Sequence, residues 1–359
     1  MKNPPHRLLV FLVFLAILLA RIHVAWVQQF STDADRDIAQ LMSKHVAEGG
    51  PWPVFFYGQG YMGSLEPLCG ALFCKLFGVG PFQAALGTAI PAFLAALVVW
   101  FLARAIAGPW AGLYAAAATA TASPAFAAYM GNPRGGYAMV ALLGTWCLYL
   151  AGRLAAREWS GTRPAPAWYG LLGLVAGAAW WTSGIVAATL AASALAVFVG
   201  LRGRVLNLRI LAGLAGFLAG AAPWLIWNAQ NEWLSMSMSK SLGAMRLSQS
   251  IPFLLRRLWE AVGLGTPEWP PYLLGFLLVA FLAAGLVIPL REARQQKRPE
   301  PFFHLGTLIF FILLFASTYV ISSFARIETL RYVLPLVPVL AILFGVAWGP
   351  WTRRLPVYV

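Results

Sequence analysis

Acidic residues are scarce in this chain of 359 residues: 12 Asp and Glu stand against 26 Lys and Arg, a formal net charge of +14. Aspartate is scarcer still. Asp33, Asp35 and Asp37 are its sole examples, and they fall within five residues of one another. Charge of either sign makes up 11% of the sequence, where a soluble domain carries about a quarter. Cysteine is limited to Cys69, Cys74 and Cys147, with neither metal-ligand spacing nor an even-numbered disulfide framework. All three read as small core residues. A glycine-rich phosphate loop and a nucleotide-binding fingerprint are also missing.

What fills the chain instead is apolar. Hydrophobic residues make up 60% of it, with mean hydropathy +0.72. That composition defines an integral membrane protein. A helix needs about 20 apolar residues to cross a bilayer. Ten runs approach that length: 8–27, 82–103, 110–128, 135–152, 167–183, 185–201, 210–228, 272–290, 303–322 and 332–350. The first follows Lys2 and Arg7 but lacks a small-residue cleavage site, so it reads as a span and not a signal peptide. Ser183-Gly184 alone separates the fifth and sixth runs, which suits a tight helical hairpin or a partly re-entrant pair. The expected fold is all-α and polytopic, a single transmembrane domain over 1–359 with about ten spans.

The positive charge is distributed, not clustered. With the N-terminus placed in the cytoplasm, the inner segments carry fifteen Lys or Arg against three Glu, a net of +12, and the outer segments sum to +1. The excess therefore faces anionic lipid, and nucleic acid is not needed to explain it. Both termini fall inside. Two long loops fall outside, at 28–81 and 229–271. Trp180, Trp181, Trp224, Trp227 and Trp269 lie near outer span ends, as in an interfacial aromatic belt.

The first outer loop holds all three aspartates. From Asp35 to Glu48, Ile38, Leu41, Met42, His45 and Val46 recur at three- and four-residue steps, which predicts an amphipathic helix. Asp33 stands at its start, with Ser31 and Thr32 as further candidate caps. Gly49-Gly50-Pro51 ends it. Pro53 to Gly63 is aromatic and glycine-rich, with Tyr57, Gln59 and Tyr61, and suits close approach to a ligand bearing hydroxyls. Leu65 to Leu76 predicts a second, interfacial helix that begins beside Glu66. A lone surface Asp at such a position is most often a helix cap. Three on one loop, with Glu66 closing it, point to function, since ionisable groups near membranes tend to be functional.

These motifs carry a resemblance. The acidic loop, the amphipathic helix and the stretch Gly58-Gln59 through Tyr61-Met62-Gly63-Ser64-Leu65-Glu66 resemble the C-type membrane glycosyltransferases. They are most similar to the family 39 branch related to protein O-mannosyltransferases and the lipid A aminoarabinose transferase. Asn132-Pro133-Arg134-Gly135-Gly136-Tyr137, Pro223-Trp224-Leu225-Ile226-Trp227-Asn228 and Leu330-Arg331-Tyr332-Val333-Leu334-Pro335-Leu336 extend the resemblance along most of the chain. The chain ends soon after its tenth run, short of the further spans or C-terminal domain of many relatives, as a short member, a degenerate one or an incomplete chain would.

The resemblance implies an inverting sugar transfer on the outer face of a bacterial inner membrane. The donor is a sugar on a polyprenyl phosphate, and the acceptor is a hydroxyl on a lipid, glycan or protein. The acceptor hydroxyl needs a carboxylate base within hydrogen-bond reach. Position in the motif assigns that role to Asp35, with Asp33 as second candidate. The family commonly has Asp-Glu where this chain has Asp35-Arg36. Glu66 matches a second family acid that shapes the site or holds an ion, and Mg²⁺ or Mn²⁺ on Asp35 and Glu66 would fit oxygen-ligand chemistry. The lipid-phosphate leaving group needs positive charge. Arg134, Arg256, Arg257, Arg326 and Arg331 are the outer-face candidates, arginine being suited to bidentate phosphate contact. Tyr57, Gln59, Tyr61 and Tyr137 are candidate substrate contacts.

Each arginine also has a plainer role open to it. Arg256 and Arg257 sit on an amphipathic stretch, 251–262, that suits lipid headgroups. Arg134 follows a tight turn and suits snorkelling. Arg331 flanks a span, and Arg326 has Glu328 nearby to pair with. A polytopic transporter of lipid or glycan, or a non-catalytic partner subunit, is the alternative. A transporter would be expected to carry mid-membrane charge or breaks in paired repeats; Arg21 is the single charge well inside a run, and Pro91 and Pro289 are not paired.

Overall fold

Each of the ten apolar runs is mostly helical over the residues that the computed structural model describes, which are 5–30, 33–202, 204, 207–238, 247–261, 271–321 and 333–352. In chain order the first elements are α1 (Arg7–Gln28), α2 (Ala34–Ala47), a short hairpin of β1 (Phe55–Phe56) and β2 (Gln59–Gly63), and α3 (Leu65–Phe77). Next come α4 (Pro81–Ala107), α5 (Pro109–Ala120), α6 (Pro124–Gly131), α7 (Tyr137–Trp159) and α8 (Pro166–Thr182). The rest are α9 (Ala187–Leu201), α10 (Leu208–Gly220), α11 (Ala222–Gln230), α12 (Leu234–Met238), α13 (Leu247–Ala261), α14 (Pro271–Gln295), α15 (Pro299–Ile321) and α16 (Leu336–Thr352). Several helices begin on proline, whose fixed φ and missing N–H suit the first helical turn.

Two predicted runs are not continuous. Run 110–128 divides into α5 and α6 because Pro124 pushes Ser123 into extended backbone (φ −132°, ψ 157°). Run 210–228 divides into α10 and α11, bent by 63° just before Pro223. Among the described residues, five helices are long and apolar enough to cross a membrane, and the bent pair makes a sixth if taken as one span. Ser183-Gly184 does not close a hairpin between neighbours. Ser183 is extended, and α8 and α9 each pack on α7.

The core lies around α7, the most deeply buried of the candidate spans. Its Leu142 and Leu148 belong to one buried cluster with Val99 and Leu102 of α4, Leu308 and Phe311 of α15, and Ile342 and Val346 of α16. By contrast α1 faces outward along most of its length. Apolar burial gives no net drive between helices in lipid, so close packing must do more. That is what α8 and α10 show. Gly170, Gly173 and Gly177 of α8 press against Gly213, Gly216 and Gly220 of α10, backbone on backbone. A Cβ at Gly173 would collide with the Gly213 carbonyl. Gly173→Val is therefore expected to destabilise the protein by about 1–3 kcal/mol, read as a lower melting temperature in detergent. Gly184→Ala, where a Cβ meets open space, is the control and should leave that temperature unchanged.

The first loop folds against one end of this bundle. Its helix α2 matches the predicted amphipathic segment to within two residues, and α3 matches the predicted second helix. The hairpin between them went unpredicted. Phe56 pairs with Gln59 across the Tyr57-Gly58 turn, and Gly58 sits at φ +76°. Three contacts hold the hairpin to the bundle. Trp181 donates its indole N–H to the Val54 carbonyl at 2.8 Å, Met62 bridges to Ser183, and the Phe55 and Trp227 rings meet edge to face at 4.8 Å.

Candidate active site

The site is built where the first loop meets the turn between α6 and α7. Asp33 is the N-cap of α2: its Oδ1 accepts from the Arg36 amide at 3.1 Å. Its Oδ2 accepts from the Arg134 guanidinium at 2.5 Å. Both carboxylate oxygens are thus engaged, one by the helix end and one by a cation 101 positions away. Arg134 also lies over the Tyr129 ring, 5.2 Å from its centre. Tyr129 in turn meets Tyr137 edge to face at 5.5 Å.

Asp35 occupies the first turn of α2 and is half-buried. Its Oδ1 faces the Gln59 side-chain amide at 3.4 Å, and the Tyr61 hydroxyl donates to Gln59 Oε1 at 3.0 Å. The neighbouring Arg36 reaches α1. It is buried, donates to the Gln28 carbonyl at the end of α1, and holds Asp37 at 2.8 Å. Arg36 therefore ties α2 to α1. Tyr57, at the hairpin turn, pairs its hydroxyl with His45 Nδ1 at 3.2 Å.

Glu66 lies deeper, 1% exposed. Its Oε2 accepts from the amides of Gly135 at 3.1 Å and Gly136 at 2.9 Å. Both glycines hold positive φ, +97° and +84°, which lets two successive N–H groups converge at the start of α7. The helix end adds its own positive dipole. Even so, burial dominates and raises the Glu66 pKa to about 7, against the opposing pull of those amides and of the Thr88 hydroxyl. N–H groups present their positive ends to the carboxylate, which suits an anion and not a cation. Among the described residues, no three His, Cys, Asp or Glu side chains gather as a metal site. The amides engage Oε2 alone, and Glu66 Oε1 has no hydrogen-bond partner among the described residues.

The arginines separate. Arg134 joins the acidic loop directly. On α13, Arg257 bonds Glu260 at 2.5 Å and covers the Phe253 ring, and Arg256 is exposed. Arg326 and Arg331 lie outside the described residues, as do Ser31 and Thr32. Sequence reasoning missed Trp181 and the Gly135 and Gly136 amides as parts that hold the loop in place. The paired glycines after Arg134 were the available signal.

Known proteins share this architecture. ArnT from Cupriavidus metallidurans, solved with undecaprenyl phosphate, superposes with a TM-score of 0.61 at 20% identity, over 95% of this chain and 60% of that one. The oligosaccharyltransferase of Archaeoglobus fulgidus, solved with Zn and sulfate, gives 0.56 at 16% identity, over 96% of this chain and 51% of that one. AglB from the same organism, with an inhibitory peptide and a dolichol-phosphate, gives 0.52 at 13% identity, over 96% and 51%. This chain thus spans at most about three fifths of those structures' length. The fold is that of the C-type membrane glycosyltransferases. Within it, residues 66–227 match the family model described as dolichyl-phosphate-mannose-protein mannosyltransferase. No curated protein sequence matches.

Proposed function

We propose that the protein moves a sugar from a polyprenyl-phosphate-linked donor to an acceptor hydroxyl, with inversion, on the outer face of a bacterial inner membrane. The observation that carries this reading is the Asp33–Arg134 ion pair, which joins the start of the Asp35-bearing helix to the Asn132–Tyr137 turn. Asp35 is the base. It takes the acceptor proton as the acceptor oxygen attacks the anomeric carbon. The bond from that carbon to the phosphate oxygen breaks on the opposite face, and the polyprenyl phosphate leaves with the electron pair. Arg134, which pairs with Asp33, stabilises the departing phosphate. Arg256 and Arg257, on the second long loop, and Arg326 and Arg331 are the further phosphate contacts under this reading. Tyr57 and Tyr137 bind substrate hydroxyls. The two long loops, 28–81 and 229–271, face outward, and both termini lie in the cytoplasm. The acceptor is a lipid, glycan or protein hydroxyl.

The test uses membranes holding the full chain and a pool of polyprenyl-phosphate donors with radiolabelled sugar. Label should pass to a hydroxyl acceptor, and NMR should find the product anomer opposite to the donor's. Nucleotide sugars should not serve. A retained anomer would overturn inversion. No transfer from any donor would favour a transport or partner-subunit role.

A further inference from the structure

We propose that Gln59 and Tyr61 form a directional relay that positions the Asp35 carboxylate, an inference that rests on the reading of Asp35 as the base. Strand alternation places residues 59 and 61 on one face of β2. Their side chains then make a chain of two bonds, Tyr61 hydroxyl to Gln59 Oε1 at 3.0 Å and Gln59 Nε2 to Asp35 Oδ1 at 3.4 Å. The direction of both bonds is forced. An ionised carboxylate can only accept, so the amide nitrogen must face Asp35. The amide oxygen then faces Tyr61, whose hydroxyl must donate.

The relay joins two separately anchored pieces. Asp35 rides on α2, which Arg36 ties to α1. Gln59 and Tyr61 ride on a hairpin held to α8, Ser183 and α11 through Val54, Met62 and Phe55. Gln59 thereby sets the carboxylate in register with the bundle. It also differs from the partner of Asp33. An amide orients a carboxylate without adding a countercharge, whereas Arg134 neutralises one. Tyr61 stays 43% exposed, and its hydroxyl reaches Gln59. Gln59 is on this argument a positioning residue, and Tyr61 acts through it.

The experiment measures label transfer from the polyprenyl-phosphate donor by the full chain in membranes, at equal protein levels. Gln59→Leu should lower kcat about tenfold, the scale of one lost bond to a charged group, with donor KM within about twofold. Tyr61→Phe should lower kcat about threefold on the same scale, and its effect should vanish in the Gln59→Leu background. Gln59→Glu keeps the side-chain shape and sets a second carboxylate against Asp35. Its pH–rate profile should move its acid limb to higher pH, with Asp33, Arg36, Asp37 and Arg134 unchanged around the site. Three results would overturn the relay: wild-type kcat in Gln59→Leu, a loss carried by KM, or a Tyr61→Phe loss that persists without Gln59. If wild type itself transfers nothing, the underlying function falls and the relay falls with it.

Discussion

Asp35→Asn is expected to abolish transfer to within about 1% of wild type or less, since general-base catalysis contributes about 10²–10⁴-fold. Asp33→Asn is expected to cost far less, on the order of tenfold. The two aspartates lie two positions apart, but their surroundings divide the work. Asp33 has one oxygen on the Arg36 amide and the other on Arg134. Asparagine caps a helix about as well as aspartate, so Asp33→Asn keeps the start of α2 and loses chiefly the pair with Arg134. Asp35 meets the Gln59 amide from the hairpin. Transfer rates for both variants, at matched protein levels and saturating donor, decide the matter. Full activity in Asp35→Asn with loss in Asp33→Asn would move the base to Asp33 and make the Arg134 contact a resting-state pair.

The sequence made some of this legible and hid the rest for physical reasons. The helix over α2 was readable because Ile38, Leu41 and Met42 mark one helical face. Its cap was readable because Asp33 precedes that face. The two broken runs were misjudged as continuous because hydropathy does not register Pro124 or Pro223 as breaks, although proline chemistry does. The hairpin escaped because β1 is two residues long and β2, Gln59–Gly63, holds two glycines, so neither shows alternation. The pairings that assemble the site join residues 69, 70 and 101 positions apart. No local periodicity encodes such contacts. The family resemblance set their motifs on one side of the membrane but not in one another's reach, and the bonds from the Gly135 and Gly136 amides to Glu66 were not legible in it.

Glu66 supplies the other large expected effect, and the sign follows from its burial. Its pKa rises from 4.5 unfolded to about 7 folded. A carboxyl group shifted that way is more readily protonated in the folded protein than in the unfolded chain. The folded state then binds the extra proton between those two values, and stability falls as pH climbs through them. The full cost, on the order of 3 kcal/mol at about 1.4 kcal/mol per pH unit, is present above pH 7 and absent below pH 4.5. Melting temperature in detergent should therefore decline from pH 5 to pH 7.5 in wild type and then level off. Glu66→Gln keeps an acceptor for the Gly135 and Gly136 amides and cannot ionise. It should flatten that decline and match or exceed wild type above pH 7. Glu66→Ala should be destabilised at every pH, because it strands two buried N–H groups at about 1–3 kcal/mol each. Transfer separates structure from chemistry at the same position. If Glu66 seats the loop, Glu66→Gln retains most of its transfer at neutral pH while Glu66→Ala loses it together with the fold of the loop. If Glu66→Gln is as inactive as Asp35→Asn but equally stable, the carboxylate acts in the reaction itself, and the amides at the start of α7 hold a catalytic group and not only a structural one.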